Sequence, residues 1–331
     1  MNNASTLFAI TMGDPAGIGP EIALKALSLA QFPVQEKFFI IGDLSILRPI
    51  SREIKNCAEL REMRSETDFA FGKINVYNMN LISPDAFVTG KPQAACGRAS
   101  YGYVLKGIEL CLKGSIGGIV TNPISKEALS MAKIPYPGHT EILADKTGTN
   151  NFSMMFALDN VHVAHVTTHV GLREAIGLIT KDRVLGHIML LHKTLVQLGF
   201  ENPAIAVGGL NPHAGENGLF GDEERLHIIP AIAEAAKQGV VVTGPYPPDT
   251  VFMRAFKGEF IGVVAMLHDH GFVALKSRDF ENGVNITIGL PIIRTSVGHG
   301  TAFDIAGKGI ASEKSLLAAM RAAVLLRKHT Y

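Results

Sequence analysis

Three histidines stand where this sequence could hold a metal ion. His169 follows the run Val161–Val166, His213 follows Ala204–Gly208, and His268 follows Phe260–Leu267. Each run reads as a strand, and open α/β sheets bind ligands at the carboxyl ends of their strands. Three neutral imidazoles suit Zn²⁺, Co²⁺, Ni²⁺ or Fe²⁺ and leave coordination positions open for a substrate. The spacings of 44 and 55 residues match no short metal motif, and a histidine taken alone is more often a core residue, or one that supports a ligand, than a ligand itself. Asp269 between His268 and His270 adds a carboxylate that could orient an imidazole.

A second group of residues could hold a phosphate. Arg294 offers a bidentate fork, Lys276 a point charge, and His139-Thr140 an imidazole and a hydroxyl. Ordinary solvated cations are the competing reading. Against that reading, Arg294 closes the apolar stretch from Asn285, and a cation in such surroundings needs a partner. Gly13–Gly19 (GDPAGIG) follows a strand and opens a helix, a placement that suits an anion. It is neither G-x-G-x-x-G nor a Walker loop, and helix capping alone would explain its glycines.

The elements that must carry these groups are legible as alternating strands and helices. Strands are expected at Leu7–Met12, Phe38–Asp43, Ile74–Tyr77, Gly118–Thr121, Ala204–Gly208, Val240–Val242 and Phe260–Leu267. Helices are expected through Ile22–Leu29 and over Ala94–Leu112, Glu223–Lys237 and Ser315–Arg327. Near-continuous apolar strands interleaved with helices imply a parallel sheet covered on both faces. Ser153–Leu158 and Val161–Val166, joined by Asp159-Asn160, read as a hairpin. That places a second domain, with a mixed sheet, from about residue 131 to 301. The first domain takes 1–130 and about 302–331.

Composition excludes several classes. The 331 residues carry 31 positive and 30 negative side chains, so bulk charge offers no route to nucleic acid. With 47% hydrophobic and 18% charged residues, disorder is excluded. No apolar run approaches the roughly 18 residues that span a bilayer. The N-terminal Met1–Thr6 lacks a leader's basic region. Cys57, Cys96 and Cys111 form no disulfide framework or metal spacing. The expectation is a soluble protein of the reducing cytoplasm, with no nucleic-acid or membrane partner.

Seven stretches together resemble the 4-hydroxythreonine-4-phosphate dehydrogenase family. They are TMGDPAGIGPEI (11–22), VTNPISKEAL (120–129), PGHTEILA (137–144), HVTTH (165–169), GLNPHAGENGLFGDEE (209–224), HDHGFVALK (268–276) and NITIGLPIIRTSVGHGTAFDIAGKG (285–309). The resemblance spans essentially the whole chain. It implies two α/β/α domains around a cleft, similar to isocitrate and isopropylmalate dehydrogenases. It further implies a homodimer with its active site shared at the interface, NAD as oxidant, and a divalent metal (Zn, Mg, Co or Mn). Carried over, the metal ligands are His169, His213 and His268, one of them from the partner. Substrate contacts are His139, Thr140, Lys276, Asn285 and Arg294, with Lys276 or His139 handling protons. No NAD-contacting residues follow from it.

Two departures narrow the substrate. The vitamin B6 enzymes of the family carry Gln where His270 stands, and Asp where Gly298 stands. This chain looks more like the paralogues that oxidise D-threonate or D-erythronate 4-phosphate. The resemblance implies a small phosphorylated hydroxy acid as substrate, either 4-phosphooxy-L-threonine of vitamin B6 biosynthesis or D-threonate or D-erythronate 4-phosphate, oxidised at C3 and decarboxylated. The rival readings are a phosphate acyltransferase of the same fold group, which needs no three-histidine site, and a non-catalytic binder of phosphorylated metabolites.

Overall fold

The computed structural model describes residues 6–29, 36–279 and 281–328. Most of the Met1–Thr6 segment, read as lacking a leader, lies outside the described residues. The chain forms two compact units, one of residues 1–150 and 290–327, the other of 151–289.

Elements are numbered along the chain. The first unit opens with β1 (Thr6–Thr11), α1 (Gly19–Leu29), β2 (Glu36–Gly42), α2 (Leu44–Glu53), β3 (Leu60–Met63) and β4 (Ile74–Asn78). It continues with α3 (Ala94–Leu112), β5 (Gly118–Thr121), α4 (Lys126–Met131) and α5 (His139–Thr147). The second unit holds β6 (Ser153–Leu158), β7 (Val161–His165), α6 (Leu172–Leu178), α7 (Lys181–Gln197) and β8 (Ile205–Gly208). Then come α8 (Ile229–Lys237), β9 (Val242–Tyr246), α9 (Val251–Phe256), β10 (Gly262–Ala265), α10 (His268–Arg278) and β11 (Val284–Ile288). The chain returns to the first unit with β12 (Arg294–Val297) and α11 (Lys314–Lys328).

In the first unit the strand order is β3-β4-β2-β1-β5-β12, all parallel. Parallel strands need both faces covered. Gly107 of α3 lies against Ile119 and Thr11 on one face. On the other, the Thr295 hydroxyl donates to the Ala319 carbonyl of α11.

In the second unit the order is β11-β6-β7-β10-β8-β9. β11, β6 and β7 run antiparallel in turn, while β7, β10, β8 and β9 are parallel. The expected mixed sheet is present, and its hairpin turns at Asp159, whose φ is +52°. Phe156, Phe252, Phe260 and Phe272 form the core between the sheet and helices α9 and α10. α7 covers the opposite face, where Leu191 and Leu195 meet Gly262.

The units divide at 150/151 and 289/290, not near 131 and 302. The cause is local packing. α5 buries Ile142, Leu143 and Ala144 and packs on α3. Its approach is extended by a stack of Tyr136 on Tyr101. β12 pairs with β5. His139, Thr140 and Arg294 therefore belong to the first unit. Among the described residues no helix is long and apolar enough to cross a membrane.

Candidate functional site

The three histidines leave the second sheet from three adjacent strands. Ala265 of β10 is in register with His165 of β7, and Val264 with Val207 of β8. Beyond the ladder the chains stay together: Val166 N donates to the Ala265 carbonyl, and both Thr167 N and its hydroxyl donate to that of Met266. That pairing carries His169 to His268. Their ring centroids are 5.7 Å apart. Both line a hollow of about 210 Å³ with Thr167, Thr168 and Asp269. His268 Nδ1 donates to Asp269 Oδ1 at 2.6 Å, which leaves the lone pair on Nε2. His268 is also the first residue of α10.

His213 does not join them. It lines a separate, larger hollow of about 1200 Å³ with Phe252, Met253 and His270. Among the described residues no three His, Cys, Asp or Glu side chains converge on one point. A single chain thus brings the two imidazoles of His169 and His268 to one hollow, while His213, with Nδ1 on Glu216 at 3.0 Å, lies apart. Imidazoles so held suit a divalent cation, and the set becomes threefold only with a donor from elsewhere.

The backbone around His213 is unusual. His213, Ala214, Glu216 and Asn217 all have left-handed φ, from 43° to 58°, as does Gly215 at 81°. Non-glycine residues pay about 1–2 kcal/mol each in this region. The turn is anchored by Glu224, only 4% exposed. Its carboxylate accepts from the amides of Leu210 and Asn211 and from Asn211 Nδ2. Burial opposes its charge, but those hydrogen bonds prevail and hold its pKa below the ordinary value. Sequence reading quoted Glu224 within a motif and gave it no role. Its distance along the chain from His213 carries no local signal.

Lys276 lies two turns beyond His268 on α10, half-buried, with Nζ 4.9 Å from the Phe272 ring centroid. Asn285, on β11, donates to Met154 Sδ, and its Oδ1 is buried with no hydrogen-bond partner.

In the first unit Arg294 is 3% exposed. Its Nε and Nη2 both donate to the Thr121 hydroxyl, at 3.1 and 2.8 Å. Burial pulls its pKa down to about 9, with Glu141 opposing. His139 opens α5, so it, Thr140 and Glu141 occupy the first turn, where backbone N–H groups lack intrahelical acceptors. His139 Nε2 is buried without a partner. Burial, aided by the nearby Arg294 charge, holds His139 well below its ordinary pKa and hence neutral. A buried cation, a helix N-terminus and an open imidazole nitrogen fit a phosphate dianion.

The Gly13–Gly19 loop does not fit one. Four of its amides are already engaged: Asp14 N with Pro123 O, Ala16 N with Asp14 Oδ1, Gly17 N with Asp14 O, and Ile18 N with Thr301 O. Its glycines serve close packing, since a Cβ on Gly19 would come within 2.3 Å of the Met12 carbonyl oxygen.

Residues 34–323 match the family described as "Pyridoxal phosphate biosynthetic protein PdxA". The chain belongs to this family. A D-threonate 4-phosphate dehydrogenase from Salmonella typhimurium is 46% identical over 324 residues, covering 96% of this chain and 98% of that protein. A solved 4-hydroxythreonine-4-phosphate dehydrogenase from Klebsiella pneumoniae is 42% identical with a TM-score of 0.88, covering 98% of this chain and 100% of that one. One from Burkholderia phymatum is 44% identical with a TM-score of 0.83, covering 97% and 98%. The PdxA relationship agrees with the resemblance read from the seven sequence stretches.

Proposed function

We propose that this PdxA-family chain is an NAD-dependent dehydrogenase of a four-carbon hydroxy acid 4-phosphate, of the D-threonate or D-erythronate type. The observation that carries the reading is the His169–His268 pair with Asp269 behind it. The dehydrogenase names of relatives that align over nearly the whole chain support it.

His169 and His268, with His213 from a second copy, would hold the divalent cation. The cation supplies Lewis acidity toward the substrate's oxygens and favours loss of the hydroxyl proton. The hydride lost from C3 would pass to NAD as the oxidant. Arg294, Thr140 and neutral His139 bind the phosphate, whose remote binding energy fixes C3 for reaction. Asn285 Oδ1, buried and open, accepts from a substrate hydroxyl. Lys276 shares the α10 face of His268 and takes the C3 hydroxyl proton. The resulting β-keto acid releases its carboxylate as CO₂, and protonation of the enolate at C2 leaves dihydroxyacetone phosphate. Cys57, Cys96 and Cys111 are all free thiols, in keeping with the reducing cytoplasm.

The test is NADH formation measured with D-threonate 4-phosphate, D-erythronate 4-phosphate and 4-phosphooxy-L-threonine. Turnover is expected with one of the first two. No NADH from either of the first two overturns the proposal, whether or not 4-phosphooxy-L-threonine is turned over.

A further inference from the structure

We infer that Phe272 is a positioning residue for the site: one aromatic ring sets both His268 and Lys276. This rests on the roles proposed for those two side chains. Residues 268, 272 and 276 recur every four positions and so share one stripe of α10. The His268 ring centroid is 4.4 Å from that of Phe272, and Lys276 Nζ is 4.9 Å from it. The ring is itself immobilised. His165 stacks on it at 4.6 Å and 10°, and Phe156 meets it edge-on at 5.2 Å. Phe272 is 7% exposed.

His165 marks this support as more than packing. It is 1% exposed, and both ring nitrogens lack a hydrogen-bond partner. Burying such atoms is costly, and a purely apolar ring would fill the place with no such penalty. A Cβ on Gly271 would stand 2.3 Å from His165 Nε2, so this imidazole also requires the glycine before Phe272. His268 is then held twice, at Nδ1 by Asp269 and on its face by Phe272. Lys276 is held by the ring's negative face. A leucine at 272 would fill the volume and offer neither flat face.

The test compares full-length Phe272→Leu, Phe272→Met and Phe272→Tyr with wild type and His268→Ala. The readouts are Co²⁺ affinity by absorption titration without substrate, the pH profile of kcat, and thermal unfolding. Loss of a residue that orients a ligand is expected to weaken Co²⁺ binding by about tenfold or more in the Leu and Met variants. Their kcat profile is expected to shift in pH, and KM for NAD to stay within about twofold. Phe272→Tyr keeps the ring and is expected to bind Co²⁺ as wild type does. Wild-type affinity in a folded Leu or Met variant overturns the inference, whatever the change in melting temperature. Equal loss in the Tyr variant overturns it too. If Phe272→Leu does not fold, the Met variant carries the same expectation. Wild-type Co²⁺ affinity in His268→Ala is a different result: it removes the metal reading itself, and with it the object that Phe272 positions.

Discussion

The rings of His169 and His268 stand 5.7 Å apart and tilted by 45° at the carboxyl edge of the second sheet. With metal–nitrogen bonds of about 2 Å, two imidazoles sharing an ion have their centres at such a separation. Removing bound metal with a chelator is therefore expected to abolish NADH formation, and added divalent cation to restore it. Full turnover in a preparation shown by elemental analysis to be metal-free would refute the site.

Arg294 is a buried cation that the free protein must hold against desolvation. Replacing it with an apolar group of similar length removes that cost. Arg294→Met is expected to melt no lower than wild type. Its KM for the phosphorylated substrate should rise by about two orders of magnitude or more, as for a lost charged pair, with KM for NAD unchanged. Arg294→Lys should not restore binding, because the paired bonds to Thr121 need the guanidinium. Equal loss of substrate and NAD affinity would place Arg294 elsewhere.

What the sequence made legible was local. Helix α3 has the bounds expected from its periodicity, Ala94 and Leu112, and the Asp159-Asn160 turn makes the hairpin. The histidines' positions after strands also followed from apolar runs. What escaped depends on distant partners. Arg294 finds Thr121 across 173 positions. The left-handed turn at His213 needs Glu224 to anchor it. His268-Asp269-His270-Gly271 has no apolar period, so nothing in the sequence marks the first turn of α10. The Gly13–Gly19 loop looked open to an anion because sequence does not reveal that Pro123 and Thr301 accept its amides.

Glu224 is expected to decide whether the His213 turn survives. Glu224→Ala leaves the Leu210 and Asn211 amides without their acceptor, at a cost of about 2–4 kcal/mol. Four non-glycine residues held at positive φ then lose their anchor. Urea unfolding should show that destabilisation, and amide exchange should quicken across 210–217. Unchanged exchange there would mean the turn holds itself.

Acid should weaken the fold. Burial holds His162 and His187 at about 4, against an ordinary 6.5. Below 6.5 the unfolded chain binds protons that the native one refuses, so stability falls as pH drops toward 4. Asp14 has the opposite sign: burial raises it from 3.8 to about 6, so the native state gains a proton first. His165, held at about 3, and His139, held well below its ordinary value, add to the same side, so against the one carboxylate the net loss between pH 7 and pH 5 is at least about 2–3 kcal/mol. Urea midpoints at the two pH values measure it, and His187→Gln should reduce the loss. A midpoint equal or higher at pH 5 contradicts the assignment.

Subunit mixing tests whether His213 reaches the ion from a second copy. His169 and His268 meet within one chain, and His213 lines a different hollow. In a mixed dimer of His213→Ala and His268→Ala, one site keeps an intact His169–His268 pair and receives an intact His213 from the other chain. Mixing these two inactive variants should restore up to about half the wild-type activity per mixed dimer, because one of two symmetric sites is whole. His169→Ala mixed with His268→Ala breaks the pair in both sites and should restore nothing. Recovery in the second mixture would mean that His169 and His268 serve an ion from opposite subunits. Silence in both would argue that no site is shared.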